Sequence, residues 1–166
     1  MLSGILKKEE CAACRFCCSF RKTSLWETPI FTKENIDAIK TNPNLDSDVL
    51  IESEIEGLIK ATYDLSNNYK TDDPNEEAPC PYLSETGCIL SSEEKPWDCK
   101  IWPLRVMKKD GEIVIALTPT CPSTNKKEIN IIKMYVKENL QESLIEYAKN
   151  HPYLIKEYRP DFPIVG

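Results

Sequence analysis

The sequence predicts an α+β fold with about three helices, one β-hairpin and a cysteine-rich metal-binding lobe. Three observations carry that expectation. Eight cysteines stand in 166 residues, four of them in the run Cys11-Ala-Ala-Cys14-Arg-Phe-Cys17-Cys18. Apolar residues recur at helical spacing over about 47–62 and again over 126–149. Between those stretches, Leu104–Lys109 and Glu112–Leu117 flank Asp110-Gly111, the pair preferred by a two-residue type I′ turn, whose central residues both need positive φ.

The cysteine run fits two conformations. As a helix, it would gather Cys11, Cys14 and Cys18 on one narrow face, with Cys17 beside them. As a loop around an ion, its two-residue spacers would suit neighbouring positions of a single site. Further on, Thr32 is a suitable N-cap for a helix over 33–41, which Asn42-Pro43 ends because the residue before proline avoids the helical region. A second helix is expected from about 47 to 62, with Asp46 or Ser47 as cap and Ile51, Ile55, Leu58 and Thr62 on one stripe. Residues 66–79, SNNYKTDDPNEEAP, are polar and proline-bearing, and are read as a loop that returns the chain to the first cysteine cluster.

Counting outward from Asp110-Gly111 sets Lys109 opposite Glu112, Val106 opposite Ile115 and Leu104 opposite Leu117, so the apolar residues share one face. Continuing the count beyond the strands brings Cys99 level with Pro122, beside Cys121. The last helix is expected over 126–149, burying Ile129, Ile132, Val136, Leu140, Leu144 and Tyr147. Asn125 with Glu128 resembles a capping box, and Asn150 and Pro152 stop the helix. The expected organisation is one domain, 1–166, with the cysteine-rich lobe built from 11–18, 80–99 and 121 and a helical part from 32–62 and 124–150.

The opening MLSGILKKEE has too short an apolar stretch for a secretory leader, and its charges follow that stretch. No run of about eighteen apolar residues spans a membrane as a helix. The expectation is therefore a cytoplasmic protein. In that reducing compartment clustered cysteines bind metal or do redox work more often than they form lasting disulfides. The net charge of -6 argues against nucleic acid as a partner and against a polybasic membrane anchor. Metal ions are the partners the composition points to, and the sequence names no protein partner or substrate.

Cys-x-x-Cys-x-x-Cys is a spacing that iron–sulfur proteins use for three cluster ligands, completed by a remote cysteine before proline. Two such steps exist, Cys80-Pro81 and Cys121-Pro122. Zinc prefers paired Cys-x-x-Cys motifs or added histidines. The single histidine, His151, precedes Pro152 at a helix end and is read as a capping or surface residue. Cys11, Cys14, Cys17, Cys18, Cys80, Cys88, Cys99 and Cys121 are the candidate ligands. Eight thiolates saturate up to two four-coordinate sites, iron–sulfur or zinc or one of each, or they share one polynuclear site. A structural zinc site contributes roughly 10–16 kcal/mol of apparent folding free energy, against a whole-domain stability of ~5–15 kcal/mol. The lobe is accordingly expected to unfold or oxidise without metal. Trp97, Trp102 and Tyr82 are read as packing around it.

These motifs resemble the CxxCxxCC (YkgJ-like) cysteine-cluster family, whose members are described as zinc- or iron-chelating. The run 11–18 is similar to the family's signature. Cys80-Pro81-Tyr82-Leu83, Gly87-Cys88-Ile89 and Lys95-Pro96-Trp97-Asp98-Cys99-Lys100-Ile101-Trp102-Pro103 resemble its later motifs CPxL, GxCxIY and RPxxCRxFP, and Cys121 matches a final cysteine. Leu90 stands where the family has tyrosine, and Lys95 and Lys100 where it has arginine, which removes the planar guanidinium fork. The resemblance implies a metal chelator and, in some members, an iron–sulfur oxidoreductase or electron-transfer protein. A larger relative, the flagellin lysine N-methylase, carries a similar cysteine set, so protein methyl transfer is a third and more distant reading. The glycines at 4, 57, 87, 111 and 166 form no GxGxxG or P-loop, and the CxxxCxxC of radical enzymes is absent. Whether the chain is an enzyme is left open by the sequence.

Overall fold

In the computed structural model, which describes residues 2 and 4–166, the chain gathers into two units. One joins the residues up to Cys14 with Ile101–Gly166, and the other is Arg15–Lys100. Each mixes helices with small sheets, as the α+β expectation requires. No helix among the described residues is long and apolar enough to cross a membrane.

Helix α1 (Lys8–Cys14) carries Glu9 and Glu10 in its first turn, where negative charge complements the helix dipole. It stops because Arg15 turns left-handed, at φ 53°, and Phe16–Cys18 then form a short 3-10 turn. The cysteine run is thus half helix and half turn. Cys11 and Cys14 are an i,i+3 pair on α1, while Cys17 and Cys18 sit in the turn.

The 15–100 unit continues with β1 (Ser19–Arg21), a 3-10 segment Lys22–Glu27, β2 (Phe31–Thr32) and α2 (Lys33–Thr41). Helix α2 begins and ends where predicted, with Thr32 as N-cap and Asn42 as C-cap. The Thr32 backbone N–H donates to Asn35 Oδ1 at 3.1 Å, and Ile36 and Ile39 face the core.

The helix expected over 47–62 does not form. That stretch is an antiparallel hairpin of β3 (Leu50–Ile55) and β4 (Leu58–Tyr63). The turn between them places Glu56 at φ 52° and Gly57 at φ 80°, the two left-handed positions of a type I′ turn. Ile51 pairs with Thr62, and Ile55 with Leu58. The four residues that suggested a helical stripe are therefore two cross-strand pairs on one face, and that face is largely exposed, Ile51 by 51%. The opposite face carries Ala61 and Tyr63 into a core with Phe20, Phe31, Ile36, Ile39, Leu65 and Tyr82. Strand β2 joins the other side of β4, giving the order β2-β4-β3.

Residues 66–76 form the returning loop that was expected, but the last three residues of the expected loop, 77–79, are a strand. The Glu76 carboxylate accepts the backbone N–H groups of Lys70 at 2.6 Å and Thr71 at 2.8 Å, which folds the loop on itself. Strand β5 (Glu77–Pro79) then pairs with β1, Ser19 opposite Pro79, immediately beside Cys18. The unit closes with the small hairpin β6 (Leu83–Ser84) and β7 (Gly87–Cys88), and with helix α3 (Trp97–Ile101).

In the other unit, β8 (Leu104–Lys109) and β9 (Glu112–Leu117) form the predicted hairpin in the predicted register, with Asp110 at φ 51° and Gly111 at φ 91°. The register cannot be extended to Cys99, because 97–101 is helical and the ladder ends at Leu104–Leu117. Instead of one helix over 126–149 there are two, α4 (Ile129–Asn139) and α5 (Gln141–Asn150), divided at Leu140. Side chains compete for the backbone at that break: Asn139 Nδ2 donates to the Tyr135 carbonyl at 3.0 Å and Ser143 Oγ to the Leu140 carbonyl at 2.9 Å. The N-cap of α4 is Glu128, without the capping box, since Asn125 Nδ2 donates to the Pro119 carbonyl at 2.7 Å. Ile132, Val136, Leu140 and Leu144 are buried as expected, Ile129 is 36% exposed, and His151 is the C-cap of α5. Strand β10 (Lys156–Glu157) runs parallel to β8. Beyond it the chain reaches β9, where Ile115 exchanges backbone hydrogen bonds with Val165 and Gly166 and Ala116 bridges Ile164.

Candidate metal centre

All eight cysteines are thiols. Five of them, Cys17, Cys18, Cys80, Cys88 and Cys99, belong to the 15–100 unit, and Cys11, Cys14 and Cys121 to the other.

In the 15–100 unit the local structure brings distant segments together around one tyrosine. The turn 16–18 is held by the Cys18 N–H donating to the Arg15 carbonyl at 2.9 Å. At the end of the β1–β5 ladder, the Cys80 N–H donates to the Cys18 carbonyl at 2.7 Å, so the two cysteines are direct backbone neighbours. The Cys80 sulfur lies 3.2 Å from the Tyr63 hydroxyl in a hydrogen bond. Pro81 and Tyr82 then turn the chain, with Leu83 N–H donating to the Cys80 carbonyl at 3.0 Å, and Cys88 comes back opposite Leu83. The last segment is pinned by Asp98, whose Oδ2 accepts the Ile30 N–H at 3.1 Å. Ile30 leads into Phe31, whose ring meets that of Tyr63 edge-on at 5.2 Å, so Cys99 is delivered to the same neighbourhood.

Electrostatics agree with that convergence. Burial, and then the charges of Cys80, Cys99 and Cys88, push the Tyr63 hydroxyl well above its usual range. Burial pushes the Cys80 thiol up to about 11, against the hydrogen bond to Tyr63. Cys18 moves the other way, down to about 7, first through a hydrogen bond with the Cys17 thiol and then, against burial, through the charges of Lys95 and Arg15. The unit therefore holds thiols whose environments push their ionisation in opposite directions. A thiol near neutrality is the one that supplies a thiolate for metal or for disulfide exchange.

In the other unit, Cys11 and Cys14 stand exposed on one side of α1. Cys121 is buried, its carbonyl accepting the Asn125 N–H at 3.0 Å and the Thr124 hydroxyl at 3.3 Å. Among the described residues, no three His, Cys, Asp or Glu side chains stand together closely enough to hold an ion as placed. The chemistry of the donor set nonetheless suits a soft metal: thiols, one poised to ionise at neutrality, with lysine and arginine beside it to offset thiolate charge. His151 takes no part; its ring stacks on Tyr147 at 4.2 Å and its Nδ1 lies 3.0 Å from the Tyr147 carbonyl. Tyr82 and Trp97 are buried in packing, in line with the expectation for them, and the Arg105 guanidinium lies 4.8 Å from the Trp102 ring.

Two features of this centre were missed in the sequence. Tyr63 was hidden because 47–62 read as a helix, although Glu56-Gly57 between two short apolar runs was the hairpin signal that would have placed it. Lys95 and Arg15 were noted only as motif residues, and nothing in their spacing showed that both act on Cys18. Comparison with family models, with curated proteins and with solved structures finds no match to this chain.

Proposed function

We propose that this chain is a metal-binding protein whose eight cysteines chelate zinc or iron, the iron as iron–sulfur centres, in up to two sites within a reducing compartment such as the cytoplasm. The observation that carries this reading is the direct backbone contact between Cys18 and Cys80, which joins the Cys-x-x-Cys-Cys end of the first motif to the Cys-Pro step of the second. Packing alone gives no reason for five thiols to gather in one unit with two of them exposed. Thiolate ligation does, because each cysteine bound to a common ion adds a cross-link between segments that the short strands hold only weakly. The resemblance to the CxxCxxCC proteins points the same way.

Bound zinc would supply a redox-silent cross-link, and a bound iron–sulfur cluster one-electron chemistry. The residues here would hold either: Cys18 as the first thiolate at neutral pH, Cys80 oriented by Tyr63, Cys88 and Cys99 delivered by their hairpin and helix. The deciding experiment is metal and acid-labile sulfide content per chain, on protein purified without oxygen and without a metal-affinity tag. Iron with matching sulfide establishes iron–sulfur centres and makes electron transfer the working activity. Zinc without sulfide establishes a structural or chelating module. Metal-free protein whose thiols have become disulfides overturns the reading.

A further inference from the structure

We propose that the free edge of β3 is a docking site for an extended segment of a partner protein in which apolar and basic residues alternate. None of the cysteines takes part in it.

The hairpin creates the edge. In the order β2-β4-β3, strand β4 is paired on both sides and β3 on one. Ile55 and Leu58 flank the two-residue turn as a hydrogen-bonded pair, and such pairs recur at every second residue. Ser53 and Ile51 therefore also bond to β4, while the N–H and C=O groups of Glu52 and Glu54 point away from it. Among the described residues, no backbone group meets them there. The β8–β9 hairpin differs, because later parts of the chain lie along both of its margins.

Side chains decide what the edge accepts. Ile51, Ser53 and Ile55 project from one face, where Ile51, Ile55 and Leu58 make an exposed apolar row. Glu52 and Glu54 project from the other. An added antiparallel strand continues both faces, so its residues opposite the glutamates share their face and those between share the isoleucine face.

Charge selects the occupant. From Thr41 to Ile59 the chain carries Asp46, Asp48, Glu52, Glu54 and Glu56, and no lysine or arginine. Lys40 meets Glu52 at 2.5 Å, and among the described residues no cation meets Glu54. A second copy of β3 fits badly: paired antiparallel about Ser53, it sets Glu52 against Glu54, and like charges directly opposite destabilise. Basic residues opposite both glutamates, with apolar residues between them, satisfy the backbone, the apolar row and the charge together.

Fluorescence anisotropy on the full chain tests this, with a labelled, end-capped heptapeptide of alternating valine and lysine. Binding is expected at low salt, weakening as added salt screens the charges. Glutamate in place of its lysines, or methyl groups on the lysine backbone nitrogens that would donate to Glu52 and Glu54, should weaken binding by about tenfold or more. Methyl groups on the valine nitrogens, which face away, should leave it unchanged. Glu54→Lys, an exposed substitution, should also weaken binding by about tenfold. Absence of binding, or binding indifferent to lysine N-methylation or to Glu54→Lys, overturns the proposal. A dimer of the chain that the peptide dissociates, seen by sedimentation, gives the edge to a second copy and overturns it too.

Discussion

The sulfur of Cys80 and the hydroxyl of Tyr63 lie 3.2 Å apart, the one with its thiol pushed upward by burial, the other at the end of the strand that fills the core. Removing the hydroxyl in Tyr63→Phe leaves the ring packing in place and deletes one part-buried hydrogen bond. The expected loss of stability is about 1 kcal/mol, read as a lower urea midpoint. The bond favours the Cys80 thiolate, so its loss should also move the metal-free thiol titration to higher pH, followed by thiolate ultraviolet absorbance. An unchanged titration would show that the pair is incidental.

Gly57 gives a test whose sign depends on the fold. On a helix over 47–62, Gly57→Ala would stabilise by about 1 kcal/mol. In the hairpin Gly57 sits at φ 80°, with open space where a side chain would go. The alanine there should destabilise by about 1 kcal/mol through backbone strain alone. Equilibrium unfolding distinguishes the two.

Cys18 should alkylate in metal-free protein with a midpoint near pH 7, since its thiol is lowered to about 7. The largest cause is the Cys17 thiol, so Cys17→Ala should move that midpoint up further than Lys95→Ala does. Iodoacetamide labelling against pH, with peptide mapping, measures both. A larger shift in Lys95→Ala would reverse the order of causes.

Glu76 governs acid behaviour of the 66–76 loop. Hydrogen bonds from the Lys70 and Thr71 backbones and the Thr71 hydroxyl lower its carboxyl from 4.5 to about 2. The folded state therefore binds this proton less readily than the unfolded chain. Its stabilising effect is complete above about pH 4.5 and fades as pH falls toward 2. Glu76→Gln should lower stability at neutral pH, where the carboxylate contributes fully, and flatten that part of a stability-against-pH curve. A curve of unaltered slope would assign the acid limb to other carboxylates.

Turn chemistry made the β8–β9 hairpin fully legible, because Asp110-Gly111 fixes both the turn type and the register. Helix α2 was legible for a similar reason, with a cap at Thr32 and a stop at Asn42-Pro43. The β3–β4 error has a geometric origin. Residues 51, 55, 58 and 62 are spaced for one face of a helix, and in a hairpin turning at 56–57 those same positions are cross-strand pairs on one face. The periodicity was real, yet both conformations produce it. The break at Leu140 was hidden because the buried series Val136, Leu140, Leu144 runs through it unbroken. Within the candidate centre, residue type and order were legible, and the partners contributed by other segments, Tyr63, Arg15 and Lys95, were not.

The stretch from Lys156 to Gly166 touches both outer margins of the β8–β9 hairpin. Lys156 and Glu157 pair along β8, and Ile164 to Gly166 hydrogen-bond along β9. Exposed strand margins recruit strands from other molecules, and these margins flank apolar residues such as Val106 and Ile115. One short segment thus shields two adhesive edges at once. Cleavage within 158–163 would bare the β9 margin even if β10 stayed in place, leaving its backbone groups open to a strand from another molecule.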